Sequence, residues 1–327
     1  MNVLVTGGAG YIGSHCCKEL SRAGHTPVTL DNLVTGHREA VQWGPLFEGD
    51  FADHSILREI LTGFDIGAIM HFAAYAYVGE SVSDPLKYYV NNVAKTIDLL
   101  RFAISSHIEI FIFSSSCATY GIPDYLPINE AHPQKPINPY GRTKVMVETI
   151  LEDCARTGNL RYTSLRYFNA AGADPEGDLG EDHHPEPHII PRVLDVAHGN
   201  SSAMSVYGVD YPTEDGTCVR DFIHVSDLAV AHVLALDRLR AGEPSDCVNI
   251  GTGNGYSITQ IIKAAAAITG RAIPVVTCDR RKGDPPMLVA DNSKAQRLLG
   301  WQAHFPGIEE ILQTAWNWHR RLRTSDR

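Results

Sequence analysis

Thr6-Gly7-Gly8-Ala9-Gly10-Tyr11-Ile12-Gly13 stands between a short β-branched run, Val3-Leu4-Val5, and a helical stretch reaching Ala23. A buried strand, a glycine turn and a helix in that order bring a helix N-terminus to the end of a strand. Gly7 permits the tight turn, Gly10 lets the backbone approach a pyrophosphate, and Gly13 allows the helix to pack closely on the strand. A glycine pattern alone is weak evidence. The strand before it and the helix after it give this one its meaning.

Working outward, Thr26 to Leu30 reads as a second strand, Ala68-Ile69-Met70 and Ile110-Phe111-Ile112-Phe113 as two later ones. A helix ahead of the last strand is marked by Asp84 as N-cap and Pro85 in its first turn. Strands alternating with helices imply a parallel sheet covered on both faces, with ligands beyond the carboxyl ends of the strands. The expected fold class is therefore α/β, a doubly wound parallel (Rossmann) sheet with a second, smaller C-terminal substrate-binding lobe. Asp31 ends the second strand, where a carboxylate can accept hydrogen bonds from an adenosine ribose. It would repel a 2′-phosphate, which favours NAD over NADP. Capping of the following turn is the plainer role for Asp31. Asp50-Phe51 follows the next apolar stretch and is placed beside the adenine.

After Leu165-Arg166-Tyr167-Phe168 the character changes: 169–187 is rich in Gly, Pro, Asp and His, and 208–217 is a second polar loop. Loops of this length in a folded chain are usually functional. Residues 1–168 are read as the dinucleotide domain and 169–327 as mostly the sugar-nucleotide lobe, with 221–239 a strand-helix return to the first domain. A length of 327 residues suits two lobes, and 44% hydrophobic with 20% charged residues excludes disorder. The net charge of −10 argues against nucleic acid or an anionic membrane as partner. Seven cysteines without a Cys-x-x-Cys spacing read as free thiols of a reducing compartment. With no apolar run long enough to span a bilayer and no signal-like start, the expected location is cytoplasmic.

Tyr140-Gly-Arg-Thr-Lys144 opens a helix, and residues four apart share a helix face. A phenol titrates near about 10, too high for a base at neutral pH. A neighbouring ammonium and a nicotinamide cation would both favour the phenolate. Ser114-Ser115-Ser116 closes a strand, and the last hydroxyl is expected to project toward the cofactor, although local capping is the alternative for these serines. His183, His184 and His188 lack accompanying cysteine or carboxylate geometry in the sequence, so no metal is expected.

These stretches resemble the extended short-chain dehydrogenase/reductase superfamily and, within it, the UDP-glucose 4-epimerases. The similar segments are TGGAGYIGSH (6–15), HFAAYAYVGESV (71–82), YYVNNV (88–93), FSSSCATYG (113–121) and INPYGRTKVMVE (137–148). LRYFNAAGADPEGDLGED (165–182), YPTEDGTCVRDFIHVSDLA (211–229) and RRKGDPP (280–286) complete the set. The TEDGT-x-VRD stretch is far more specific than the glycine pattern.

The resemblance implies NAD contacts from Gly7, Gly10, Tyr11, Ile12, Gly13, Asp31, Asn32, Asp50, Phe51, Phe72, Ala73, Asn91, Lys144 and Phe168. It implies that Ser116 and Tyr140 address the sugar's 4-hydroxyl. Asn169, His188, Ile189, Tyr207, Arg220, Arg281 and Asp284 would hold the uridine diphosphate, with Leu288 lining the pocket beside the sugar's 2-substituent. The two arginines suit this role, because guanidinium forks match diphosphate oxygens. Ala76 stands where enterobacterial members carry lysine, and His188 where some carry asparagine. The implied reaction inverts carbon 4 of a UDP-hexose through a 4-keto intermediate, with a homodimer as the usual assembly. UDP-xylose/UDP-arabinose and UDP-N-acetylhexosamine epimerases remain alternatives. Ser-Cys-Ala-Thr at 116–119 disfavours a dehydratase, which would carry Asp-Glu there. A non-catalytic NAD sensor on the same fold would not need Ser116, Tyr140 and Lys144 intact.

Overall fold

A computed structural model describes residues 1–281 and 284–325. Its strands are β1 (Asn2–Thr6), β2 (Thr26–Asp31), β3 (Leu46–Glu48), β4 (Ile66–His71), β5 (Ile110–Ser114), β6 (Arg161–Tyr167) and β7 (Asn169–Ala171). They continue with β8 (Met204–Tyr207), β9 (Val219–His224), β10 (Asp246–Ile250), β11 (Gly255–Ser257), β12 (Val275–Cys278) and β13 (Met287–Leu288). The α-helices are α1 (Tyr11–Arg22), α2 (His54–Gly63), α3 (Val78–Ser83), α4 (Pro85–Tyr88), α5 (Lys95–Ser105) and α6 (Pro139–Arg156). After them come α7 (Ile189–His198), α8 (Val225–Arg240), α9 (Ile258–Thr269), α10 (Ser293–Leu299) and α11 (Ile308–Ser325).

Seven strands form one parallel sheet in the order β10-β6-β5-β4-β1-β2-β3. Because side chains alternate across a strand, each strand feeds two cores. Val3, Val5, Ala68, Met70 and Ile112 pack on one face with α1, α8 and Trp301. Leu4, Ile69, Phe111 and Phe113 pack on the other with α2, α5 and α6. This is why the strands read as nearly continuous apolar runs.

Three features go beyond the sequence reading. The segment 221–239 divides: α8 lies on the large sheet against α1, whereas β9 pairs with β7, β11 and β13 in a small separate sheet. The seventh strand of the large sheet, β10, comes from the C-terminal half. Asp84 does cap α4, accepting from Lys87 N at 3.3 Å, but Tyr89–Ala94 continue as a π-helical stretch before α5. Such π-bulges often mark functional sites. Within it, Asn92 exchanges two hydrogen bonds with the Tyr75 backbone, both 2.9 Å, and so fixes the loop that leaves β4. Helices α7, α9 and α11 form a third core over the small sheet.

Candidate active site

The glycine loop fits a pyrophosphate. Gly7 has φ +77°, and a Cβ on it would lie 2.6 Å from Ala73 N; one on Gly13 would lie 2.1 Å from Gly7 O. Helix α1 therefore presses on the turn as no larger residue would permit. Its N-terminus has no side-chain cap and no acidic residue in the first turn, leaving backbone N–H groups for an anion. Asp31 is buried and accepts from Ala9 N at 3.0 Å and Leu33 N at 2.9 Å. Its capping and ribose roles are compatible, since each carboxylate oxygen has a second lone pair. Asn32 accepts from Val34 N, and Asp50 pairs with Lys95. Phe51 packs edge-on to His71, and Phe72 lies 4.9 Å from the His232 ring. Tyr11 O–H donates to Gly172 O at 2.7 Å, tying α1 to the second lobe, while Ile12 packs on the core. Asn91 donates to Asn92 Oδ1.

Helix α6 begins with Asn138 capping Gly141 N at 2.8 Å, which sets Tyr140 and Lys144 on one face beside the end of β5. Lys144 Nζ donates to Ser114 O at 2.6 Å and lies 5.7 Å from the centre of the Tyr140 ring. Ser116 lies beside the phenol, and its Oγ accepts from Ala118 N at 3.1 Å. Both groups are nine-tenths buried or more. Burial pushes Tyr140 up to about 12, the Ser116 hydroxyl opposing it and Cys117 adding to it. Burial likewise pulls Lys144 down to about 7, with Glu148 opposing. In the protein alone, the Lys144 ammonium, expected together with a nicotinamide cation to favour the phenolate, does not bring the phenol below its ordinary value. Desolvation outweighs it, because Lys144 is close to losing its own charge at neutral pH.

The remaining positions assigned to the sugar nucleotide lie on β7, β8, β9, β13, the segment before β13 and the start of α7. Asn169 Nδ2 donates to Asp221 O at 3.1 Å, and β13 runs beside β9 with Leu288 opposite Arg220. Arg220 Nη2 lies 3.9 Å from Asp284, and Arg281 stacks 4.0 Å from the centre of the Tyr207 ring. Leu288 and Phe168 share a small core with Cys117, the neighbour of Ser116. His188 and Ile189 sit at the start of α7, apart from the arginines in sequence. Lys282 and Gly283 of the RRKGDPP stretch lie outside the described residues.

The family model for the NAD dependent epimerase/dehydratase family matches residues 3–251. The chain belongs to that family. It is 51% identical over 319 residues to UDP-glucose 4-epimerase of Rhizobium leguminosarum bv. trifolii, covering 98% of this chain and 97% of the relative. A crystal structure of UDP-glucose 4-epimerase from Brucella ovis in complex with NAD superposes with a TM-score of 0.94. It is 51% identical and covers 97% of this chain and 98% of that one. A UDP-glucose-4-epimerase from Stenotrophomonas maltophila, with bound NAD and formylated UDP-arabinopyranose, gives a TM-score of 0.96. Its identity is 40%, with 99% of each chain covered.

This epimerase/dehydratase chain also carries supports that the motif reading missed. Glu148 is buried with Arg166, the two joined at 2.7–3.1 Å, and accepts from Ser115 Oγ at 2.5 Å and Gln134 at 2.7 Å. It thereby anchors the serine between Ser114, which receives the Lys144 proton donor, and Ser116. Its place one turn beyond Lys144 was the available signal. Asp221 is fully buried and accepts from Thr252, Gly253 and Ala290 backbone N–H groups, which locks three segments behind Arg220. A carboxylate between Val219 and Phe222-Ile223 inside a strand was its signal.

Proposed function

We propose that this chain interconverts UDP-glucose and UDP-galactose by NAD-dependent inversion at carbon 4. The observation that carries the reading is the meeting of Tyr140 and Lys144, on one face of α6, with the end of β5 beside Ser116; Arg220, Arg281 and Leu288 are assigned to the sugar nucleotide. Near-full-length similarity to UDP-glucose 4-epimerases supports the substrate class.

Bound NAD supplies a reversible hydride acceptor at carbon 4. The residues assigned to hold it are the glycine loop, Asp31, Asn32, Asp50, Phe51, Phe72, Ala73, Asn91, Lys144 and Phe168. Tyr140 takes the 4-hydroxyl proton while carbon 4 becomes a ketone, and Ser116 orients that hydroxyl. A protonated Lys144 and the positive charge of an oxidised nicotinamide both counter the burial that holds the phenol neutral. Arg220, Arg281, Tyr207 and Asp284 grip the uridine diphosphate while the 4-keto sugar turns its other face. Tyr140 then returns the proton.

In this reading 1–168, joined by α8 and β10, hold the cofactor, and the rest of 169–327 mostly holds the sugar nucleotide. The chain acts as a homodimer in the cytoplasm. Val82, Leu86, Val90 and Met146 are exposed apolar side chains along α3, α4, the π stretch and α6, a face suited to a second copy. No described helix is long and apolar enough to cross a membrane, and the seven cysteines are unpaired. The test is parallel incubation with UDP-galactose, UDP-arabinose and UDP-N-acetylgalactosamine, resolving the epimers by chromatography. Fastest conversion of UDP-galactose is expected. A preference for UDP-arabinose would replace the hexose reading.

A further inference from the structure

The loop between β7 and α7 places two carboxylates and two imidazoles around one point. Glu181, His183, Glu186 and His188 each offer a ligand atom, and these atoms all lie within 4.8 Å of one another. His183 Nδ1 is 3.3 Å from Glu181 Oε1 and 3.5 Å from Glu186 Oε2. His188 Nδ1 is 2.7 Å from Glu181 Oε1 and 3.1 Å from Glu186 Oε1. Four ligands at tetrahedral bond lengths near about 2.0–2.1 Å stand roughly 3.3–3.4 Å apart, and the four imidazole–carboxylate separations, counting both Glu186 oxygens, lie on either side of that value.

A second observation concerns direction. Glu181 Oε1 and His183 Nδ1 are buried yet have no hydrogen-bond partner among the described residues. The atoms are close, but their N–H and lone-pair axes do not meet as a hydrogen bond requires. Glu181 is about nine-tenths buried, with a side chain 6% exposed. A buried carboxylate oxygen that accepts no hydrogen bond is costly unless something else fills the centre. The Tyr11 and Tyr77 rings stand edge-on to His183 at 6.3 and 6.1 Å and fix its plane.

We propose that Glu181, His183, Glu186 and His188 bind one divalent transition-metal cation of the zinc class. Two imidazole nitrogens with two carboxylates suit zinc, whereas magnesium and calcium favour all-oxygen sets. Carboxylate geometry, absent from the sequence pattern of histidines alone, is what the fold adds. His184 belongs elsewhere: its side chain is 74% exposed and lies 3.7 Å from Asp182. The other acidic cluster, Asp174, Glu176 and Asp178, already holds a cation of its own, the Lys18 ammonium, at 2.7–2.8 Å from all three. A cation at the mixed site would fasten the loop to the start of α7, where His188 and Ile189 lie, and leave His188 Nε2 free.

The test uses the full-length protein with its NAD, stripped with a pyridine-dicarboxylate chelator and dialysed. Co2+ is added and the visible spectrum recorded, and Zn2+ affinity is measured by competition with a chromophoric chelator. The expected result is the intense spectrum of four-coordinate Co2+ and one Zn2+ bound per chain. His183→Ala and Glu181→Gln should each weaken Zn2+ by at least about 100-fold, the upper end of what even indirect ligand support contributes. His184→Ala should leave it unchanged. Retained NAD and circular dichroism establish that each variant is folded; should either ligand variant unfold, the wild-type Co2+ spectrum decides. A weak six-coordinate Co2+ spectrum, or wild-type Zn2+ affinity in folded His183→Ala, overturns the proposal.

Discussion

Two clusters of titratable groups in this chain, the first buried and the second centred on buried Glu181 with His188 at the surface, differ in how charge is held. At the end of β5, burial suppresses charge, with Tyr140 up to about 12 and Lys144 down to about 7. In the loop before α7, burial also opposes charge, but pairing overrides it. His183 rises to about 9 and His188 to about 10, while Glu181 falls to about 2. The difference is the presence of an opposite charge at contact distance. The Tyr140–Lys144 cluster lacks one, and in the proposed function the charges of cofactor and substrate would complete it. The loop cluster carries both signs within itself.

The largest expected effect of this contrast is on stability against pH. His15, His71, His224 and His232 are buried, and burial lowers them to about 4, 3, 3 and 4. In the unfolded chain they take up protons near 6.5. Between those values the unfolded state binds more protons, so stability falls as the pH drops, by about 1.4 kcal/mol per pH unit for each group. His183 and His188 have the opposite sign. Their stabilisation is complete below about 6.5 and is lost as the pH rises through about 9 to 10. Metal-free protein should therefore show a melting temperature that declines on both sides, steeply on the acid side. His188→Gln should flatten the alkaline limb, and on the acid side should act only below the ordinary carboxylate range, where Glu181 loses part of its support. A flat acid limb in the wild type would break the contrast.

Catalysis gives the next largest effect. Tyr140→Phe keeps the ring packing and removes the proton acceptor, so kcat should fall by about 10²–10⁴-fold with NAD content unchanged. Stopped assays on both proteins, with NAD released by denaturation and counted, check this. A variant turning over near the wild-type rate would remove Tyr140 from the chemistry.

Glu148 and Arg166 sharpen the comparison, because here a paired, hydrogen-bonded charge lies inside the catalytic layer itself. Arg166 is raised further still by Glu148, against the opposing pull of burial. Glu148→Gln leaves a buried guanidinium without its counter-charge and should cost about 3–5 kcal/mol. Glu148→Leu with Arg166→Met should recover most of that, both read from denaturant unfolding. Full recovery by the single Glu148→Leu change would show that the pairing contributes nothing.

Local signals explain what could be read from the sequence. Val3-Leu4-Val5, the glycine turn and Tyr140/Lys144 are contiguous patterns with one periodicity each, and the structure realises them with boundaries shifted by a residue or two. The strand β10 escaped, because Asp-Cys-Val-Asn-Ile is mixed in polarity and its pairing with β6 spans some eighty residues. The short strands β7, β11 and β13 hold too few residues to show a period. Glu181 and Glu186 escaped for another reason. Their meeting with His183 and His188 depends on how an irregular loop folds back, which no spacing rule encodes. The direction of the Tyr140 shift depended on weighing burial against a neighbour, and a sequence shows the neighbour but not the burial.

The smallest effect tests a position where charge plays no part. Leu288 is 9% exposed, packs with Cys117 and Phe168, and stands opposite Arg220 in the β9–β13 pair. It thus packs against Cys117, the neighbour of Ser116, and pairs along the backbone with the strand that carries Arg220. An N-acetyl group brought against it would overpack the site, and overpacking costs about 1–3 kcal/mol, equivalent to roughly 5- to 150-fold in rate. Efficient epimerisation of UDP-galactose and slow, detectable turnover of UDP-N-acetylgalactosamine are expected. Leu288→Ser should raise the ratio of N-acetylated to plain substrate, and Leu288→Tyr should lower it. The measurement is kcat/KM for both substrates in all three proteins. Because Leu288→Ser alters no titrating group, the pH dependence of melting should not move in that variant. A constant substrate ratio across the series would mean that Leu288 faces away from the sugar, and that its burial serves only to seat β13 against Phe168.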